Sequence, residues 1–486
     1  MAKLPSFSTV LEKATEVIAK TPGFLAKVGQ MKDLAAGSTV RLAVTGLSRA
    51  GKTVFITSLI HNLLSATQGS PRMPLLKAVA EKRLLGAKLE SIGAQTLPRF
   101  PYTANIAKMS ARPPDWPERT TDVSEIEVDL RFTPANTLGR LAGDTGMMRL
   151  QLVDYPGEWL LDLPLLSQSY AEWSRNTLRL CRVGIRATVG QEFLAFIAKH
   201  PASESVDDAV VNQAHSLYRA YLLKARNEHG LNFLQPGRFL CQGLLEDAPF
   251  LRFCPLDMPE GNSEPAQDSL GHLMQARFEV YKRQVVTEFY QQHFRQFTRQ
   301  IVLVDVLRSL LAGPEAFEDT KLAIKELAGS FRYGQRSILM TLLGGASIEK
   351  VLFAATKADH VPSIQRDNLA ELLRNMASDT TLEMRSSSAK IDAMAIASVL
   401  ATQETTQEIE GQRVQVVIGK PVGSAKQVQL FVGSVPIRPP PPESWGAPFL
   451  NVPVFEPAGI DASPTGGIPH INLDAALEFL LGDRLR

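Results

Sequence analysis

Eight residues constrain the fold of this chain more than any others: Gly46-Leu47-Ser48-Arg49-Ala50-Gly51-Lys52-Thr53. An apolar run, Thr39–Thr45, leads into them, and a helix-like run from Val54 to Leu64 leads out. Gly-x-x-x-x-Gly-Lys-Thr between a strand and a helix is the phosphate-loop pattern known as Walker A. The glycines let the backbone curl so that successive N–H groups point inward at an anion. The helix that begins at Lys52 offers its positive end to the same anion. Lys52 supplies a point charge for the β- and γ-phosphates, and Thr53 a hydroxyl for Mg²⁺. At ordinary residue frequencies a chance match in a chain this long arises about once in fifty. Ser48, Arg49, Ala50, Gly51, Lys52, Thr53 and Val54 are therefore read as nucleotide contacts.

Strands alternate with helical patterns along the chain. A strand pair is expected at Glu125–Phe132 and Arg149–Asp154, with a glycine-bearing turn at 135–146 between them. Two buried strands follow, Ile301–Asp305 and Val351–Ala355, and a weaker one at Ala393–Ala397. That alternation implies an α/β fold with a mostly parallel sheet. Residues 160–298 break it, being mostly helical, and read as a subdomain inserted between two core strands. Residues 404–455 carry short β-branched runs, Val414–Ile418 and Val428–Val432, then Pro439–Pro442: a small β appendage and a rigid connector. The division is thus an N-terminal amphipathic helix (1–37) and a P-loop core in two parts (38–159 and 299–403). The helical insertion (160–298) lies between those parts. A C-terminal region (404–486) ends in a helix striped by Leu473, Ala476, Leu477 and Leu480.

Of 486 residues, 21% are charged and 44% hydrophobic, ordinary for a soluble globular chain. The net charge of +2 argues against a nucleic acid held by bulk charge. The three cysteines lack any C-x-x-C spacing, which argues against a disulfide framework or a thiolate zinc site and favours a reducing, cytoplasmic setting. No apolar stretch approaches the length of a membrane span. Glu12, Lys13, Glu16 and Lys20 interrupt any secretory h-region. Leu4, Phe7, Leu11, Ala14 and Ile18 form a helical stripe that either packs on the body or makes at most peripheral membrane contact.

Two further elements follow the phosphate loop in order. Leu150-Gln151-Leu152-Val153-Asp154 is a strand ending in a carboxylate, followed by Tyr155-Pro156-Gly157-Glu158. Asp154 there can hold a metal's water shell, and Gly157 can turn its amide to a γ-phosphate. Val351–Ala355 runs into Thr356-Lys357-Ala358-Asp359-His360. Ligands of such sheets sit at the carboxyl ends of the strands. Asp359 can accept hydrogen bonds from both N1–H and the exocyclic amine of guanine, a donor pair that adenine lacks. Lys357 can lay its stem on the face of the base, and His360 flanks it.

Gly46–Thr53, Asp154–Gly157 and Thr356–Asp359 resemble the first, third and fourth boxes of the GTPase class of P-loop proteins. Thr39–Thr53, Leu152–Leu163 and Ala475–Leu480 resemble one bacterial family in particular, the YcjX-like family, over nearly the whole chain. The resemblance implies GTP and GDP binding in a cytoplasmic, stress-associated protein. Thr356 departs from the class, which has Asn there to bridge base site and P-loop. The second box needs a Thr for Mg²⁺ and γ-phosphate before the strand Glu125–Phe132, and Thr120 or Thr121 fits, with Trp116 just ahead. Arg119 is either an arginine finger in cis or an ordinary surface residue. For the fifth box, Ala397-Ser398-Val399 is preferred to Ser388-Ala389-Lys390, which precedes its strand instead of ending it. Glu158 stands where fast GTPases carry Gln, and a carboxylate there repels the γ-phosphate unless protonated or turned away. Lys52, Thr120, Gly157 and Glu158 are the catalytic candidates, and Thr53, Thr120 and Asp154 the metal candidates. The expected function is a slow Mg²⁺-dependent GTPase switch whose insertion meets a protein partner. A P-loop ATPase and a nucleotide-locked scaffold remain as alternatives.

Overall fold

The computed structural model describes residues 38–47, 49–90, 97–118, 122–135, 144–241, 248–259, 265–330, 348–378, 389–409, 411–446 and 450–486. The expected helix in 1–37 lies outside the described residues, as do Ser48, Arg119, Thr120, Thr121 and most of the 135–146 turn.

The strands are β1 (Ser38–Gly46), β2 (Leu84–Leu89), β3 (Ser124–Phe132), β4 (Gly146–Asp154), β5 (Arg299–Val304), β6 (Lys350–Ala355) and β7 (Lys390–Ala395). They form one seven-stranded sheet in the order β2-β3-β4-β1-β5-β6-β7. From β4 through β7 every pairing is parallel, while β2 and β3 run antiparallel at one edge. A separate antiparallel sheet, β10-β9-β8, is built from β8 (Thr402–Ile409), β9 (Gln412–Gly419) and β10 (Val428–Leu430).

Central strands here are buried on both faces, so their sequences read as continuous apolar runs. Alternate side chains divide between two cores. Val40, Leu42, Val44, Ile301, Leu303 and Leu352 meet helix α1 (Lys52–Ala66) and the C-terminal helix Leu473–Leu481. Ala43, Val153, Val302, Val304, Val351 and Phe353 face the other core. That second core is continuous with the interior of the insertion, whose main helices are α2 (Tyr170–Cys181), α3 (Asp208–His229) and α4 (Leu270–Tyr281). Trp173 of α2 stacks on Phe278 of α4 with ring centroids 5.0 Å apart and meets Phe253 edge-on. Beneath the sheet, the fully buried Arg299 donates to Leu480 O and Asp483, and Lys350 to Phe479 O. Pairing of these buried cations ties the C-terminal helix to the amino ends of β5 and β6.

Several boundaries differ from expectation. β2 has no strand signature, because Leu, Ala and Lys favour helix, yet it forms the exposed edge with a register shift between Leu84 and Gly86. β4 starts at Gly146, ahead of Arg149. β7 spans Lys390–Ala395, not Ala393–Ala397, so Ala397–Val399 follow its carboxyl end. Lys390 opens β7 opposite Lys350, at the amino ends of both strands and away from their carboxyl edge. β8, Thr402–Ile409, is polar up to its last residue and pairs along its whole length with β9, so pairing more than burial makes it a strand.

Candidate functional site

A cavity of about 460 Å³ opens at the carboxyl edge of the sheet, large enough for a nucleotide-sized ligand. One end is the glycine-rich turn. Leu47 N–H donates to Leu303 O at 3.1 Å and Ala50 N–H to Leu47 O at 3.1 Å, closing the turn on β5. Gly51, at φ 84°, is the N-cap of α1 and occupies backbone space that a side chain disfavours. Gly46 is needed for a different reason: a Cβ there would lie 2.9 Å from Leu303 O. Arg49, Ala50, Gly51, Lys52, Thr53 and Val54 all line this end, which joins the amino terminus of a 15-residue helix to a lysine. That combination suits a polyphosphate.

The other end is built by the β6 and β7 loops. Thr356, Lys357, Asp359, His360, Ala397, Ser398 and Val399 line it. Lys357 adopts φ 62°, and its ammonium reaches Asp305 Oδ2 at 2.5 Å. Asp305 follows β5 and caps the next helix through Arg308 N–H. The Lys357 stem is thereby held along the cavity. Asp359, 4% exposed, accepts Ala401 N–H on Oδ2 at 2.8 Å. An ionised carboxylate has about four lone-pair sites, so acceptor capacity remains for a ligand. His360 is buried, which pushes its pKa below the ordinary value, and it lies edge-on to Phe455 at 5.0 Å. Trp116 donates from its indole to Phe455 O at 2.9 Å, closing this end with the C-terminal region. The Thr356 hydroxyl donates to Val304 O at 3.3 Å, so it anchors to β5 and not to the glycine-rich turn. The loop after β7 is instead held by Ser58 of α1, which donates to Ser398 O at 2.5 Å. Ala397 N–H is taken by Ile471 O at 3.0 Å, and Ser398 and Val399 continue the cavity lining beyond it.

Between the two ends sits the segment after β4. Glu158 lines the cavity, whereas Asp154 and Gly157 do not. Gly157 packs so closely on the first glycine of the turn that a Cβ would lie 1.9 Å from Gly46 O. Asp154, 2% exposed, pairs in register with Val44. Asp154 and Thr53 each carry the kind of hard oxygen donor that Mg²⁺ takes, though only Thr53 lines the cavity, and Thr120, the third candidate, is outside the described residues. Among the described residues no group of three or more His, Cys, Asp or Glu could hold a metal by itself. Glu158 is 3.7 Å from Arg226 of α3, so its charge is balanced by the insertion.

The insertion grips this segment, a 3₁₀ helix over Gly157–Ser167. A Cβ on Gly237 would fall 2.0 Å from Glu158 O. Trp159 donates to Cys241 O at 3.1 Å, and the Arg238 guanidinium covers its ring at 3.2 Å. Asp162 accepts from Gly237 N–H, Arg238 N–H and the Tyr281 hydroxyl. Arg226, Cys241, Arg308, Ala401 and Phe455 line the cavity but carry no sequence motif. Asp305, which holds Lys357, carries no motif either, although it directly follows a core strand.

Fold and cavity define an α/β protein with a mostly parallel sheet, a small antiparallel C-terminal sheet and a ligand cavity at the strand carboxyl ends. The chain belongs to the YcjX-like family, DUF463, whose profile matches residues 40–485. It is similar to a protein of Escherichia coli (strain K12) named Ras-like GTPase YcjX, 39% identical over 452 residues, covering 92% of this chain and 96% of that one. A Shewanella oneidensis protein of the same name is 35% identical over 464 residues, covering 92% of this chain and 94% of its own. Among the described residues no helix is long and apolar enough to cross a membrane.

Proposed function

We propose that this chain binds GTP and GDP in the cavity and hydrolyses GTP slowly, switching conformation between the two states. The observation that carries the reading is the continuity of one cavity from Lys52 and Thr53 to Asp359. In this reading Arg49–Val54 hold the phosphates, the Lys357 stem supports the base, and Asp359 selects guanine. Adenine would leave the buried carboxylate without its donors, at a cost of about 1–3 kcal/mol or more. Backbone amides of Ser398 and Val399 meet the guanine O6. Mg²⁺ held by Thr53 and Asp154, with Thr120 or Thr121 as a further ligand, would neutralise charge across the β- and γ-phosphates.

The names of the relatives favour guanine over adenine, as Asp359 does, and so favour this reading over a P-loop ATPase. Glu158, paired with Arg226, need not repel the γ-phosphate. The grip of the insertion on Gly157–Ser167 supports transmission of the nucleotide state to a protein partner on that subdomain. A role in bacterial stress rests on the family resemblance alone. The test is the identity of nucleotide that co-purifies with the protein, followed by single-turnover hydrolysis. Guanine nucleotide and slow release of phosphate are expected. Adenine nucleotide would overturn the reading, and guanine nucleotide without turnover would leave the scaffold alternative.

A further inference from the structure

Arg226 sits in the last turn of α3, in the insertion, far in sequence from every nucleotide motif. Its side chain is only 9% exposed, yet it lines the same cavity as Lys52 and Thr53. A buried guanidinium normally saturates its five donors. Arg186, equally buried in the same subdomain, does so, reaching Phe233 O at 2.6 Å, Tyr221 at 3.0 Å and Asp319. Arg226 does not. Its contacts are Asn227 Oδ1 and Leu240 O at 3.4 Å, Glu158 at 3.7 Å and Cys241 Sγ at 3.8 Å. All are long for hydrogen bonds to a charged donor. A cation that is dehydrated, loosely held and open to a polyphosphate cavity is poised for a better anion.

Resting on the GTPase reading, we propose that Arg226 is a catalytic residue that binds the transferring γ-phosphoryl group, and that Glu158 positions it. In the reaction a bond forms between the water oxygen and the γ-phosphorus while the bond to the β–γ bridging oxygen breaks. The electron pair remains on that oxygen, giving GDP, and the water proton ends on the released phosphate. Arg226 exchanges no proton; its planar fork stabilises the charge that gathers on the phosphoryl and bridging oxygens. Glu158 stays on one edge of the guanidinium and holds it beside the reaction line, while the other edge meets the phosphoryl oxygens. Because α3 belongs to the insertion, any ligand that shifts that subdomain would set the turnover rate.

The test compares the unmodified chain with Arg226→Ala and Arg226→Lys. The readouts are GDP affinity, single-turnover GTP hydrolysis, and capture of aluminium fluoride by the Mg²⁺·GDP complex. Arg226→Ala is expected to keep its GDP affinity within about threefold and lose hydrolysis by about 10³-fold, the range of other arginine-assisted GTPases. It should fail to capture aluminium fluoride, and added guanidinium ion should restore part of the rate. Arg226→Lys, which preserves charge and stem, should remain impaired because an ammonium is not a planar fork. If the alanine variant fails to fold, the lysine variant decides alone. Turnover and fluoride capture within threefold of the unmodified chain in either variant, with GDP still bound, overturn the assignment of Arg226 and leave the nucleotide reading intact. Failure of the unmodified chain to bind GDP overturns both.

Discussion

Asp162→Asn tests the attachment of the post-β4 segment to the insertion through its pH dependence. Asp162 is 2% exposed, and burial outweighs its three hydrogen bonds, pushing its pKa from the ordinary 3.8 up to about 6. The folded chain therefore holds this proton more tightly than the unfolded chain does. As pH rises between those two values the unfolded chain releases its proton first, so stability falls. The loss is complete above about pH 6 and amounts to about 3 kcal/mol, at about 1.36 kcal/mol per pH unit. Asn keeps the shape and never ionises, so the variant lacks this decline while sharing every other titration. Denaturant unfolding, followed by tryptophan fluorescence from about pH 4 to pH 7, measures both curves. The stability of the unmodified chain minus that of the variant should fall by about 2.4 kcal/mol across that range, the rest of the loss lying below pH 4. Parallel curves would refute the claim that Asp162 is buried against Gly237, Arg238 and Tyr281.

Two further outcomes are expected. Lys52→Ala should weaken GTP and GDP alike by about 2–3 kcal/mol, measured by nucleotide titration, and unchanged affinities would remove Lys52 from the phosphate site. Single-tryptophan variants should report the switch. Trp159, under Arg238, and Trp116, bonded to Phe455 O, should differ between GDP and a non-hydrolysable GTP analogue, while Trp445, bonded to Pro440 O, should not. Identical signals for Trp116 and Trp159 in both states would leave a nucleotide binder without a switch.

Much of this fold was legible because its signals are local. The central strands are apolar runs ended by functional turns, and Gly46–Thr53 imposes strand, loop and helix in one motif. The stripe Leu473, Ala476, Leu477 and Leu480 is buried as its spacing requires. What escaped the sequence is set by tertiary pairing. β2 is a strand only because β3 offers it an edge, and polar β8 only because β9 pairs with it. The same holds for the site. Lys52, Lys357 and Asp359 announce themselves by motif, whereas Arg226 is one charged residue among several on α3 and Phe455 lies in a proline-rich stretch. Both reach the cavity through long-range packing, which carries no local periodicity. The Glu158 side chain posed an electrostatic problem in sequence that its distant partner, Arg226, resolves in space.

The central claim is that Asp359 reads a guanine base in this cavity. Competition titration of GDP, ADP and XDP against the unmodified chain and Asp359→Asn tests it most directly. The substitution exchanges an acceptor for a donor on one side of the carboxylate, turning the complement of a guanine amine into the complement of a xanthine carbonyl. The unmodified chain should prefer GDP to ADP and to XDP. The variant should lose GDP affinity by about 10²-fold or more and prefer XDP. An order of affinities that the substitution leaves unchanged, or a preference of the unmodified chain for ADP, would contradict the account.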